Sequence, residues 1–92
     1  MHKHYLLPLE FAADFLKMEG SNRQGIDVED FAIGVDMAEL TTFPNYESFA
    51  AAWLGSWKPF FEQNTGKAIT QKQAFVYCEK LTKLFGLKGK AQ

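Results

Sequence analysis

The sequence predicts an all-α fold: a compact four-helix bundle with helices near 8–19, 27–40, 46–64 and 70–85, the third kinked and rich in aromatic residues. Three observations predict it. Seven of the fourteen aromatic residues fall between Phe43 and Phe61, and Tyr46, Phe49, Trp53, Trp57, Phe60 and Phe61 recur at steps of three and four. That is the spacing of one buried helical face. Thr70 and Gln73 open a second periodic stretch with the residues of a capping box. The chain has 92 residues, of which 47% are apolar and 23% charged, a composition that suits one small globular domain over 1–92.

In the first predicted helix Pro8 suits the opening turn, where its missing N–H costs nothing. Phe11, Ala12, Phe15 and Leu16 follow at helical spacing, and Gly20 is the expected stop. For 27–40, Asp27 is a good N-cap, with Ile26 and Phe31 as a hydrophobic staple around it. As a helix this stretch turns Val28, Phe31, Val35 and Ala38 to the core. Ile33, Met37 and Leu40 then lie on another side, next to Glu29 and Asp36. A short strand at 30–37, giving an α+β fold, is the alternative. Phe31, Ile33, Val35 and Met37 alternate with Ala32, Gly34 and Asp36, and a partner strand would have to come from residues 2–7 or a second subunit. Helix is preferred because the staple and the good helix formers from Met37 to Leu40 favour it.

Thr41 to Pro44 breaks the chain and Asn45 caps the aromatic helix. Pro59 removes the hydrogen bond to the Gly55 carbonyl, so a kink or restart is expected near Gly55–Ser56. In the last helix Ala74, Cys78, Leu81 and Phe85 form the core stripe, joined by Tyr77 and Leu84. Gly86 ends it and Leu87 folds back as in a Schellman motif.

The charge is divided unevenly. Residues 1–57 carry three bases against nine acids, a net of −6, and residues 58–92 carry seven lysines against two acids, a net of +5. Between Asp27 and Glu47 there are six acids and no base. Two surfaces of opposite sign are expected unless the fold brings the halves together. No apolar run approaches the ~18 residues of a membrane span, and Pro8 and Glu10 cut short any signal-like stretch. With Cys78 the single cysteine, these features point to a cytoplasmic, reducing location.

The sequence supplies no catalytic constellation, so a non-enzyme is expected. His2 and His4 lie at the N-terminus, where they are expected to be solvated and lack further metal ligands nearby in sequence. Cys78 sits on a core stripe and reads as a small buried hydrophobe. Asp27, Glu29 and Asp30 lack the alternation, sixth-position glycine and twelfth-position glutamate of a calcium loop. Gly66-Lys67 lacks the earlier glycine of a phosphate loop, so no cofactor is implied.

Two functions fit what remains. The first is a small non-enzymatic protein-interaction module of adaptor, inhibitor or immunity type, regulatory in character. It would use an acidic and apolar surface around 27–47, with Glu29, Ile33, Asp36, Met37 and Leu40 as the contact set. Its partner would be a protein with a basic surface, or a second copy in a homodimer. The alternative is a nucleic-acid accessory protein, with Lys72, Lys83, Lys88 and Lys90 as the phosphate-contacting set.

Overall fold

The computed structural model describes residues 2–21 and 24–87. It corrects the four-helix bundle: three helices pack with a two-stranded antiparallel sheet. The elements are β1 (His2–Tyr5), α1 (Ala12–Leu16), β2 (Ala32–Val35), α2 (Tyr46–Gln63) and α3 (Gln71–Leu84). Short 3-10 turns at Leu9–Phe11, Val28–Phe31 and Met37–Glu39 join them.

The largest change falls on 27–40. Asp27 does cap, but its side chain accepts from the Glu29 N–H two residues on, which closes a 3-10 turn instead of starting an α-helix. The chain then runs extended through Ala32–Val35, and residues 2–5 lie alongside it. The register pairs His2 with Val35, Lys3 with Gly34, His4 with Ile33 and Tyr5 with Ala32. The Leu6 N–H continues the pairing by donating to the Phe31 carbonyl at 2.9 Å. Tertiary pairing thus overrides the local helix signal. Ile33 and Val35 are β-branched and suit a strand, and Gly34 lies on the outer face where no side chain is needed. Asp36 caps the next 3-10 turn by accepting from the Ala38 N–H.

The first helix is also shorter than expected. The Phe15 carbonyl accepts from the Met18 N–H at 3.3 Å and the Ile26 N–H at 3.0 Å, so the α-helix stops at Leu16 and not at Gly20. Beyond it, Glu19 runs beside Thr70, and the Gln71 N–H donates to the Glu19 carbonyl at 2.8 Å. The Gln71 side chain holds the same segment through the Met18 carbonyl at 3.1 Å.

α2 begins as expected, with the Asn45 side chain accepting from the Ser48 N–H at 2.8 Å. It continues through Pro59 to Gln63 without a restart. Near the proline, the Ser56 hydroxyl donates to the Ala52 carbonyl and the Tyr77 hydroxyl of α3 donates to the Ser56 carbonyl. α3 has the predicted capping box: Thr70 Oγ1 accepts from the Gln73 N–H, and Gln73 Oε1 accepts from the Thr70 N–H. Its C-terminal end has the Schellman pattern. The Gly86 N–H donates to the Lys83 carbonyl, the Leu87 N–H donates to the Thr82 carbonyl, and Gly86 sits at φ +74°.

The core is built on the aromatic face of α2. Phe49, Trp53 and Trp57 are buried, as is Phe15, whose ring meets Trp57 edge-on at 5.4 Å. Phe85 from the end of α3 packs against Trp53 at 5.0 Å, and Tyr77 against Phe60 at 4.7 Å. Each such ring pair adds about 0.5–1.5 kcal/mol beyond the area it buries. Leu84, expected on the core stripe, is 71% exposed instead. Among the described residues, no helix is long and apolar enough to cross a membrane.

Candidate docking surface

The fold separates the five residues expected to form one contact set. Leu40 is buried in the core, and Ile33 and Met37 are half-buried and packed against it. In a helix the three would share a face; with Ile33 in a strand and Met37 in a 3-10 turn they do not. Glu29 faces outward from the sheet, accepting from the Tyr5 hydroxyl at 3.1 Å and lying 3.7 Å from the Lys3 ammonium. Tyr5 first, and then Glu29, raise the Lys3 pKa. Asp36 is exposed, and its carboxylate serves as a turn cap.

The lysine set is likewise divided. Lys72 and Lys83 are exposed on α3, but Lys83 lies 3.7 Å from Glu79 and Lys72 lines a groove that also holds four acids. Acids beside these lysines weaken their attraction for phosphate. Lys88 and Lys90 lie outside the described residues.

Of the two reactive groups singled out in the sequence, Cys78 packs against the core and His4 departs from expectation. Cys78 is half-buried, and burial pushes its thiol up to about 11, away from the thiolate a nucleophile needs. His4 is a correction: it is 3% exposed, not solvated. It sits on the inner face of the sheet, with its ring 4.8 Å from Phe49 and 5.0 Å from Trp53. Burial lowers its pKa to about 4, so the ring is neutral near pH 7. Its Nδ1 lies 3.1 Å from the Tyr46 hydroxyl, which gives its own proton to the Lys3 carbonyl at 3.1 Å. The proton between ring and hydroxyl therefore belongs to Nδ1. His2 stacks on the outer side of Tyr46, with centroids 4.5 Å apart. The periodicity of α2 could have revealed this cage, because Tyr46, Phe49 and Trp53 share one face and leave room for a ring from β1.

An open groove of about 960 Å³ lies between the 19–21 and 26–31 segments and α3. Its floor is apolar. Phe31 leans on Phe75 with centroids 5.3 Å apart, and Phe75 and Val76 remain 39% and 62% exposed. Glu19, Asp27, Asp30 and Glu79 stand around it, all exposed, with Lys72 the single base in the lining among the described residues. The carboxylates are spread along the rim: among the described residues no group of three or more His, Cys, Asp or Glu is gathered to hold a metal ion.

Three of these groups were visible in the sequence as the acids flanking Phe31 and the lysine on α3. Phe75 and Val76 lie off the core stripe, so the core periodicity does not mark them. Two adjacent large apolar residues on the polar side of an amphipathic helix were the available signal.

The two ion pairs among the described residues, Lys3–Glu29 and Lys83–Glu79, each lie within one half of the chain. Neither links the acidic 1–57 to the basic 58–92, although the groove brings Lys72 alongside Glu19, Asp27 and Asp30. No family model, curated protein or solved structure matches the chain.

Proposed function

We propose that this chain is a small non-enzymatic protein-interaction module, adaptor or inhibitor in kind, whose docking surface is the groove between the 26–31 segment and α3. The observation that carries this is the pairing of exposed Phe75 and Val76 with a rim of four carboxylates. Apolar surface at the centre supplies burial, and a charged rim steers and selects the partner. The fitting partner presents an apolar side chain flanked by lysine or arginine.

Selection of a random peptide library on the immobilised chain tests this. Enriched sequences should share an apolar anchor with neighbouring Lys or Arg and lose affinity as salt rises. They should also lose it on the double variant Asp30→Lys/Glu79→Lys, both positions being exposed and the fold of the variant checked by circular dichroism. Enriched peptides that bind wild type and double variant equally would remove the groove from the account.

A further inference from the structure

The surface that the groove calls for lies on this same chain. Across Val76 from the acidic wall is a second depression of about 420 Å³, lined by Phe60, Gln73, Tyr77, Lys72 and Lys80 and, among the described residues, by no acid. Val76 and Lys72 line both hollows. α3 therefore carries an exposed apolar ridge with carboxylates on one flank and Lys80 on the other.

We infer that the partner of this surface is a second copy of the chain. Two copies pair α3 against α3 about a two-fold axis running along the helix, with Val76 of one against Val76 of the other. Such an axis exchanges left and right. The wall bearing Asp30 and Glu79 in each copy then lies over the Lys80 flank of the other, and the same contact forms twice. An apolar centre with both signs on its rim is self-complementary only in this way; with the flanks unexchanged, like charges would meet. Among the described residues neither Asp30 nor Lys80 is in an ion pair, whereas Glu79 already has Lys83 at 3.7 Å, so Asp30 and Lys80 are the charges left for the partner copy. The inference rests on the reading of the groove as a docking surface.

Sedimentation equilibrium of the full chain over a concentration and salt series tests it. The wild type should dimerise at low salt and dissociate as salt rises. Asp30→Lys and Lys80→Glu should each weaken the dimer on the order of tenfold or more, since each reversal occurs twice in the interface. An equimolar mixture of the two variants should recover association, because the swapped charges then face each other. Glu79→Lys replaces Asp30→Lys if circular dichroism shows that the latter disturbs the 28–31 turn. A wild type that stays monomeric at the highest soluble concentration overturns the inference, as does a dimer that ignores both reversals or is not restored in the mixture. A monomer that still binds the selected peptides through the groove leaves the docking reading standing and removes only the second copy. A monomer that binds none of them loses both.

Discussion

The indole N–H of Trp53 donates a 2.9 Å hydrogen bond to the carbonyl of Leu6, tying the middle of α2 to the segment just after β1, 47 residues earlier. The bond is buried, and Leu6, Leu7 and Trp53 are all at most 1% exposed. One side chain thus contributes both core volume and the satisfaction of a backbone group that the short sheet leaves unpaired.

Trp53→Ala should cost on the order of 3–5 kcal/mol by opening a cavity in the core. Trp53→Phe keeps most of the volume but strands the Leu6 carbonyl, an added cost of about 1–3 kcal/mol. Urea titrations of the three proteins check the order wild type, Trp53→Phe, Trp53→Ala. An unchanged midpoint for Trp53→Ala would place the residue outside the core.

His4 gives a pH dependence of definite sign. Its folded-state pKa is lowered from 6.5 to about 4 by burial, so the unfolded chain takes up the proton more readily. Its contribution is full above pH 6.5 and is lost as pH falls toward 4, on the order of 3 kcal/mol in all. Carboxylates titrate in the same range, so the measured quantity is the difference from His4→Phe. Wild type should lose more stability than His4→Phe between pH 7 and 4.5. Parallel pH curves for the two would show that His4 is not buried in its neutral form.

Two glycines with positive φ should respond differently to alanine. Gly25 has φ +88°, and an added Cβ would run into the backbone carbonyl of Leu16. Gly86 has φ +74° with open space around it. Gly86→Ala should cost roughly 1–2 kcal/mol from the left-handed backbone alone. Gly25→Ala should cost clearly more, because the 25–26 segment must also move away from α1. Melting temperatures in the reverse order would contradict the placement of the 24–26 segment.

The helices that could be read from the sequence were those with long, unambiguous periodicity and matching caps. Thr70 with Gln73, Asn45, and the Phe49–Trp53–Trp57 face all hold in the structure. The stretch from Asp27 to Leu40 carries both periods, and what decides between them is remote. Residues 2–5 supply hydrogen-bond partners to 32–35, which no local rule over 27–40 can weigh. His4 depends on the same pairing: a histidine near a terminus looks solvated until its strand is placed on α2. The contact set fell apart with the helix that was to display it, leaving Leu40 in the core. The acidic character of the 27–30 segment was legible, but its apolar complement, Phe75 and Val76, came from another helix some 45 residues away and depended on the fold.

The most direct measurement of the docking surface is site-specific photocrosslinking from position 76, in the cell that makes this chain. Val76 is replaced by a photoreactive phenylalanine analogue, with the same replacement at exposed Glu62 of α2 as the control. A salt-sensitive adduct at position 76, either of dimer mass or with a protein whose crosslinked segment is basic, is the predicted result. It should disappear in the Asp30→Lys/Glu79→Lys background. No adduct at 76 above the level at 62, or one that survives the charge reversals, would contradict the assignment of this groove as the surface through which the protein works.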